Sequence, residues 1–321
     1  MQVSVIIPAY NAEAWLPRAV ASALAQDGVT FEVILVDNNS TDGTYALLEA
    51  LAREHPTLMT LARETRQGSA AARNHGLRLA RGEWVQFLDA DDELLPGKLA
   101  RQLALATPKT DCVVGASIRR AIDGTETVSE LNPDPWKGLV HNGGLGNTNA
   151  NLIRREILLR SGGQNEDLPN GVDTDLYFRL LKTGAVTVND QRAGAIYHDR
   201  DGYRLSELSG SISRQRSVRL KGKVIAHLKD DRPGYYQANA AFFRSALLNA
   251  IRRVATADLG EAEELVKEYF PGGIRRTDLE AAILPRFAQL YPSFGFSRVE
   301  SLRLRARHFM PVALRRYIKG R

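Results

Sequence analysis

The chain has 321 residues, of which 44% are hydrophobic and 25% charged, a composition typical of a folded globular protein. Its single cysteine, Cys112, excludes an internal disulfide, and its apolar neighbours predict a buried, inert thiol. No apolar stretch is long enough to cross a bilayer and no basic segment precedes the first apolar run, so we expect a cytoplasmic protein without a signal peptide. The net charge of +6 is concentrated at one end, because residues 298–321 carry +7 and the remainder carries −1.

Short apolar runs alternate with helical patterns in the first part of the chain. The runs predict strands at 3–7, 31–36, 84–88 and 112–116. Apolar residues at helical spacing predict helices at 14–25, 44–52 and 70–80. Strands separated by helices indicate βαβ units and an α/β fold with a mainly parallel, Rossmann-like sheet, which binds ligands beyond the carboxyl ends of its strands.

The pattern changes after about residue 120. Residues 132–151 are rich in Gly, Asn and Pro and predict a loop over the site. Helical patterns return at 154–160 and 173–182, and the chain reads as mostly helical from about 211 onward. We therefore predict a catalytic domain at 1–205 and a helical C-terminal region at 206–321.

Polar residues follow three of the predicted strands, in the runs Pro8-Ala9-Tyr10-Asn11, Asp37 to Thr44, and Asp89-Ala90-Asp91-Asp92. Three carboxylates within four residues repel one another unless a cation lies among them, and oxygen ligands favour Mg²⁺ or Mn²⁺. The alternative is an acidic N-cap, since a helical pattern follows at 94–105. Asp37 suits recognition of a hydroxyl or imide group of a donor nucleotide, or else belongs to an ordinary turn. Tyr10 could stack on a nucleotide base, or it could pack against the protein itself.

Two common nucleotide-binding motifs are absent. No G-x-G-x-x-G follows the first strand, which argues against a dinucleotide oxidoreductase, and no G-x-x-x-x-G-K-[ST] occurs, which argues against a P-loop NTPase. The cluster Gly143-Gly144-Leu145-Gly146 does not follow a predicted strand, so we interpret it as loop flexibility.

Five segments occur in the order and spacing of a known family: VIIPAYN (5–11), VDNNSTDGT (36–44), GSAAARN (68–74), FLDADD (87–92) and DTDL (173–176) with Arg179-Leu180. Over about the first 200 residues the chain resembles the family 2 glycosyltransferases, which have the GT-A fold. The resemblance implies an inverting, metal-dependent glycosyltransferase that moves a sugar from a nucleoside-diphosphate donor, usually a UDP-sugar, to a glycan or lipid-linked glycan acceptor in polysaccharide or glycoconjugate synthesis.

The resemblance also implies roles for individual residues. The donor would be bound by Pro8, Ala9, Tyr10, Asn11, Asp37, Gly68, Arg73, Asp89 and Ala90. Asp89 and Asp91 form the D-x-D motif that would hold Mn²⁺ or Mg²⁺, with Asp91 the direct ligand and His198 a further candidate ligand. Asp173 matches the aspartate that serves as the base, and Asp175, two residues on, should face away from it.

Three positions depart from the family pattern. Val172 stands where a glutamate usually precedes the base, and Arg66 stands where an asparagine often precedes the glycine aligned with Gly68. The usual serine spacing behind His198 is lost, which leaves a structural role for that histidine open. The C-terminal region matches nothing specific, so the acceptor is not indicated.

Two other functions are considered. A sugar nucleotidylyltransferase shares the sheet type and metal-binding acids, but it would need a Gly-rich, basic loop after the first strand, which the run at 8–11 is not. A binding protein without catalytic activity, including one that contacts nucleic acid through its basic tail, is disfavoured by the near-neutral body and the lack of a nucleic-acid motif.

The basic tail at 298–321 has an apolar stripe at helical spacing, formed by Val299, Leu302, Ala306, Phe309, Ala313 and Tyr317. A basic amphipathic helix can lie in the headgroup region of an anionic membrane. We therefore expect peripheral contact with the inner face of the cytoplasmic membrane; the alternative is a stripe packed on the C-terminal helices, and Pro311 would kink a single helix.

Overall fold

The computed structural model describes residues 1–200 and 210–309. Contacts divide the chain into two compact units, Met1–Gly202 and Tyr203–Arg321. The predicted domain boundary at 205 lies outside the described residues.

The strands of the first unit form a single mixed sheet. Their bounds are β1 (Val3–Ala9), β2 (Phe31–Asp37), β3 (Met59–Arg63), β4 (Trp84–Phe87), β5 (Glu93–Leu94), β6 (Cys112–Arg120), β7 (Glu126–Val128), β8 (Leu152–Arg154) and β9 (Thr187–His198). Among the described residues the order is β3-β2-β1-β4-β8-β6-β9-β5, with β7 paired to β6.

The half of the sheet formed by β3, β2, β1 and β4 is parallel, as expected for βαβ units. Beyond it, β8 runs antiparallel to both β4 and β6, while β9 is parallel to β6 and antiparallel to β5. The buried runs of β1 and β2 read as continuous apolar sequence because both faces of these strands are buried, as in a parallel sheet covered by helices. The parallel half brings the carboxyl ends of β1, β2 and β4 to one edge.

Seven helices of the first unit are described: α1 (Leu16–Leu24), α2 (Thr44–Glu54), α3 (Ser69–Leu79), α4 (Lys98–Leu105), α5 (Pro135–Asn142), α6 (Arg155–Arg160) and α7 (Val172–Lys182). A 3₁₀ turn occupies Thr148–Ala150. The core lies between the sheet and its helices and includes Val5, Ile7, Leu16, Val20 and Leu35.

Two sequence-based expectations are corrected here. The predicted loop at 132–151 contains helix α5, because the Asp134 side chain accepts hydrogen bonds from the backbone of Trp136 and Lys137 and Pro135 suits the first turn. The helix expected from 94 begins only at Lys98, because Leu94 pairs with Ala195 in the β5–β9 ladder. The run from Asp89 to Asp92 is therefore not a helix N-cap.

The second unit is helical in its described part, as expected. Its helices are α8 (Gly210–Asp231), α9 (Pro233–Ala238), α10 (Ala240–Val254), α11 (Leu259–Tyr269), α12 (Tyr291–Phe294) and α13 (Phe296–Phe309), with 3₁₀ turns at Arg276–Asp278 and Arg286–Leu290. Helix α10 is central, since Phe243, Leu248 and Ile251 are fully buried.

Helix α13 divides the predicted apolar stripe of the tail between two faces. Phe296 and Val299 are buried, whereas Leu302 is 66% exposed. Residues at positions 299 and 302 therefore do not form one membrane-facing stripe, and residues 310–321, with Pro311, lie outside the described part. No helix within 1–200 or 210–309 is long and apolar enough to cross a membrane.

Candidate active site

The loops that follow β1 and β2 are joined by hydrogen bonds. Asn11, at φ 47°, accepts a hydrogen bond from the Thr41 backbone N–H at 2.8 Å, and the Ala12 N–H donates to Thr44 Oγ1 at 2.7 Å. Tyr10 is 52% exposed beside them. The predicted donor residues at 8–11 and the run from 37 to 44 thus form one wall at the carboxyl edge of the sheet.

Asp37 closes β2 with a buried carboxylate. Its Oδ1 accepts from the Ser40 N–H at 3.4 Å, and its Oδ2 lies 3.8 Å from Arg63 Nε. The residue is only 3% exposed, so a polar ligand group reaching it would be bound away from bulk water.

Asn38, which the sequence motifs did not single out as a functional residue, joins the wall to the next loop. Its Nδ2 donates to the carbonyl oxygens of Glu64 and Arg66 at 3.0 and 2.8 Å, and its Oδ1 accepts from the Gly68 N–H at 2.7 Å. Gly68 itself has φ 137°, a conformation that side chains disfavour. Asn38 therefore holds the loop that leads into α3 and Arg73.

Arg73 connects two other predicted site residues that are far apart in the sequence. It is 6% exposed; its Nη2 donates to Asp89 Oδ1, and its Nη1 lies 3.7 Å from Asp173 Oδ1 and 3.4 Å from Gln164 Oε1. Burial lowers the pKa of the guanidinium, but the charges of Asp89 and Asp173 outweigh it and raise that pKa above its usual value. Arg73 is thus a permanent cation between the D-x-D segment and the predicted base.

The acidic run after β4 is fixed by Asn149, a second residue that the motifs missed. Asn149 Oδ1 accepts from the Asp89 N–H at 2.9 Å, while its Nδ2 donates to Asp92 Oδ2 and lies 3.3 Å from Asp89 Oδ2. Asp92 is fully buried and also accepts from the His198 N–H at 3.0 Å. Asp92 is therefore committed to the protein interior, and Asp89 and Asp91 remain for a ligand.

The acids of this run disfavour one another's charged forms. Burial and the charge of Asp89 raise the pKa of Asp91, with a partial offset from Arg200. Burial and the charges of Asp89 and Asp91 raise the pKa of Asp92 to about 8. A cation beside them would relieve this repulsion.

The first turn of α7 presents Asp173 and Asp175 to different partners. Asp173, whose side chain is 43% exposed, accepts from Gln164 Nε2 at 3.0 Å. Asp175 accepts from Arg179 Nε at 2.8 Å, an i,i+4 pair on the helix itself. Asp173 therefore lies with the site residues, while Asp175 is engaged in the helix.

Arg66, one of the departures from the family pattern, has a defined contact. Its Nη1 lies 3.0 Å from Glu166 Oε2, and the other oxygen of Glu166 accepts from Asn74 Nδ2 at 2.7 Å. Arg66 thus ties the loop before α3 to the segment that carries Gln164.

The family model described as Glycosyl transferase family 2 matches residues 4–187, which is more than half of the chain and includes every residue of the candidate site described above except His198 and Arg200. The chain belongs to glycosyl transferase family 2.

Curated relatives of this family 2 member share parts of its sequence. It is 39% identical over 127 residues to the succinoglycan biosynthesis protein ExoO of Rhizobium meliloti (strain 1021), a match covering 40% of this chain and 34% of ExoO. It is 41% identical over 101 residues to the putative teichuronic acid biosynthesis glycosyltransferase TuaG of Bacillus subtilis (strain 168), covering 32% and 40%. A match to the succinoglycan biosynthesis protein ExoU of Rhizobium meliloti is 33% identical over 199 residues and covers 57% and 58%. The chain thus spans less than two thirds of the length of these relatives.

Solved structures of glycosyltransferases share its fold. S. aureus TarS 1–349 in complex with UDP-GlcNAc superposes with a TM-score of 0.55 at 18% identity, covering 83% of this chain and 84% of that one. The mannosyltransferase PcManGT from Pyrobaculum calidifontis, in complex with GDP-Man and Mn²⁺, gives 0.56 at 23% identity and covers 94% and 86%. The predicted GT-A fold is confirmed.

The side chains around the D-x-D motif of this family 2 member supply only part of the ligand shell that a hard cation needs. Among the described residues, no three His, Cys, Asp or Glu side chains are placed to hold a metal ion by themselves. Asp91 pairs with Arg200, and His198 Nε2 lies 2.5 Å from Glu93 Oε1. Two carboxylates suffice where substrate phosphates and water complete the shell, so Asp89 and Asp91 fit such an ion; ligation by His198 stays a prediction.

Proposed function

We propose that the protein is a metal-dependent, inverting glycosyltransferase that uses a UDP-sugar donor and a glycan or lipid-linked glycan acceptor in polysaccharide or glycoconjugate synthesis. The proposal rests chiefly on Arg73, which contacts Asp89 of the D-x-D motif on one side and approaches Asp173 on the other. Family membership supports the same class of reaction. A sugar nucleotidylyltransferase is disfavoured by that membership.

The donor would lie along the sheet edge. The nucleoside would contact the end of β1 and the residues after it, from Pro8 to Asn11, with Tyr10 against the base and the buried Asp37 accepting a hydrogen bond from an imide or hydroxyl. Gly68 and Arg73 would line the same pocket, and Asp89 and Ala90 would lie beside the sugar. UDP-GlcNAc is bound by TarS and GDP-Man by PcManGT, so the choice of uridine is part of the proposal.

Asp91 and Asp89 would hold Mn²⁺ or Mg²⁺, with His198 nearby. When bound, the ion neutralises negative charge that develops on the departing diphosphate. Asp91 and Asp89 would exchange their present arginine partners, Arg200 and Arg73, for this cation, so each carboxylate stays next to positive charge, and the buried Arg73 would keep Asp173 as its charged neighbour.

Asp173 would act as the general base. Its partial exposure leaves room for an acceptor hydroxyl, and Gln164 Nε2 donates a hydrogen bond to its Oδ1 at 3.0 Å. As the acceptor oxygen attacks the anomeric carbon opposite the leaving diphosphate, the hydroxyl proton passes to Asp173 and the configuration inverts. Asp175 is held by Arg179 and would not take part.

A cytoplasmic location at the inner face of the membrane would suit a lipid-linked acceptor. The basic residues of 298–321 and the exposed Leu302 support this part of the proposal. It is tested separately below.

Product analysis with a panel of radiolabelled sugar nucleotides tests the proposed reaction. Incubation with Mn²⁺ and a bacterial lipid extract as acceptor should release a nucleoside diphosphate from one donor and transfer the label. Release of pyrophosphate from a sugar phosphate and UTP would instead identify a nucleotidylyltransferase, and the absence of turnover with every donor would contradict catalysis.

A further inference from the structure

Gln164 is a buried amide that bridges two groups of the candidate site. It is 2% exposed; its Nε2 donates to Asp173 Oδ1 at 3.0 Å, and its Oε1 accepts from Arg73 Nη1 at 3.4 Å. Both ends of the amide are thus used on residues to which we have given roles in catalysis or donor binding. No sequence motif pointed to this residue.

The backbone of Gln164 is fixed independently of its side chain. Its N–H donates to Asn74 Oδ1 and its carbonyl accepts from Asn74 Nδ2, each at 2.8 Å. The preceding Gly163 has φ 70°, and a Cβ there would lie 2.4 Å from Asn74 Oδ1, so the chain passes closely against α3. A change of the Gln164 side chain should therefore leave the main chain in place.

We propose that Gln164 is a positioning residue for the base Asp173, an inference that rests on the proposed function. Its N–H group occupies Asp173 Oδ1, which leaves Oδ2 as the oxygen that receives the acceptor proton. A hydrogen bond donated to a carboxylate also favours the ionised form, the form that can act as a base.

Among the residues that the structure describes, few other charged groups face Asp173. Arg73 approaches from α3, with Asp89 on its far side, and Tyr177 lies near on α7, where burial and the charge of Asp173 raise its pKa. Loss of the Gln164 amide would leave Arg73 as the neighbouring group that favours the Asp173 anion. The acid limb of the rate profile, which reports the protonation of the base, should then move to higher pH.

The test compares Gln164→Leu and Gln164→Glu with a matched control, Gln102→Leu. Gln102 is also a fully buried glutamine; its Nε2 donates to Ala150 O at 2.9 Å and to a carboxylate, Asp190 Oδ2, at 3.2 Å. Its loss should cost similar stability without touching the base. Each variant is measured for thermal melting, for UDP-sugar affinity by titration calorimetry, and for kcat between about pH 4 and 9, a range that reaches the acid limb of a carboxylate base.

We expect Gln164→Leu to move the acid limb of kcat upward by about one pH unit, and so to lower kcat by up to about tenfold on the acid side of that limb, because one hydrogen bond to a charged group is lost. Gln164→Glu should shift the limb further, since it adds a like charge, and donor affinity should change less than about twofold in both. Gln102→Leu should keep the wild-type limb. If Gln164→Leu melts near wild type and its acid limb coincides with that of wild type, the inference is wrong. If Gln164→Leu does not fold, the nearly isosteric Gln164→Glu takes its place, and a wild-type acid limb in that variant would also overturn the inference.

Asp173→Asn separates this inference from the proposed function. Full transfer by Asp173→Asn would overturn the assignment of the base and with it the proposed mechanism. An inactive Asp173→Asn beside a Gln164→Leu that keeps the wild-type profile would overturn the positioning role alone. In the Asp173→Asn background, Gln164→Leu should have no further effect on the residual rate.

Discussion

Asp89, Asp91 and Asp92 lie within four consecutive residues, and each has a different partner. Asp89 pairs with Arg73 and Asp91 with Arg200, whereas Asp92 is enclosed by Asn149 and the His198 backbone. The first two carboxylates have charged partners that can be exchanged for a cation, and the third has neutral hydrogen-bond donors in the interior. The D-x-D residues are thus the ones left for a ligand.

Asp91→Ala should nearly abolish transfer and Asp89→Ala should impair it severely, because the diphosphate would lose its neutralising ion. The measurement is nucleoside-diphosphate release as a function of Mn²⁺ concentration, with Mn²⁺ binding followed by electron paramagnetic resonance. Both variants should need far more Mn²⁺ than wild type for half-maximal binding. Full wild-type turnover in excess EDTA would contradict metal dependence.

Lys221, in α8, should make the stability of the protein depend on pH. Burial and the charge of Arg253 lower its pKa to about 7. Between pH 7 and about 10 the unfolded chain binds this proton and the folded chain does not, so the group destabilises the fold increasingly as pH falls, with the full cost below pH 7. Lys221→Met should therefore raise Tm, and by more at pH 7 than at pH 10; an equal rise at both values would contradict the lowered pKa.

The D-x-D residues and Asp173 were predicted from the sequence, whereas Asn38, Asn149 and Gln164 were not. The motif residues follow apolar strands or open a helix, and that placement can be read locally. An asparagine or glutamine in a loop has no periodicity, and each of these three has a partner at least 26 positions away in the chain. Their roles depend on tertiary register.

At the level of elements, the strands predicted correctly are the ones with continuous apolar runs. Strands β1, β2 and β4 are almost wholly buried, so their sequence reports their structure. Strand β9 mixes charged and apolar residues and carries a bulge against β6, and β8 has only three residues, so neither has a strand pattern. Helix α5 depends on a cap and a proline within a Gly- and Asn-rich segment.

The junction between β2 and α3 depends on Asn38, and Asn38→Ala tests it. Three backbone groups would lose their hydrogen-bond partner, so we expect the free energy of unfolding to fall by about 1–3 kcal/mol. Donor affinity should also weaken, because the Gly68 loop would shift. Chemical denaturation and titration calorimetry with UDP measure the two effects. Asn39→Gly is the control. Asn39 is exposed, has φ 62° and donates hydrogen bonds to Thr65 O and Gln67 Oε1 in the same loop. Equal effects of both substitutions would contradict the role of Asn38.

At the scale of the whole molecule, the sequence predicted the architecture of the first unit, but for the second unit it predicted only that the chain is helical. The first unit carries ordered motifs after its strands, whereas the helices of the second show periodicity without a recognisable site. Helix α13 illustrates the difference, since spacing alone placed Val299 and Leu302 on one stripe and packing separates them. Periodicity predicts a helix, but the neighbours of that helix decide which side is buried.

Membrane contact is tested by co-sedimentation with phosphatidylglycerol and phosphatidylcholine vesicles. A protein shortened to end at Phe309 keeps the described helices and loses Arg315, Arg316, Lys319 and Arg321. Because each basic residue near an anionic surface contributes about 1 kcal/mol, the full chain should bind the anionic vesicles at least about tenfold more tightly than the shortened one, and salt should remove the difference. Equal pelleting of both proteins, or no preference for anionic lipid, would rule the contact out.

The most direct measurement is the rate of sugar transfer by Asp173→Asn, with donor affinity determined on the same protein and Asp175→Asn as the control. The amide keeps the shape of the side chain but cannot accept the proton, so Asp173→Asn should bind the sugar nucleotide as wild type does and transfer it about 10²–10⁴ times more slowly. Asp175→Asn, whose carboxylate is held by Arg179, should remain close to wild type. Equal losses of donor affinity in the two variants, or undiminished transfer by Asp173→Asn, would show that Asp173 is not the base.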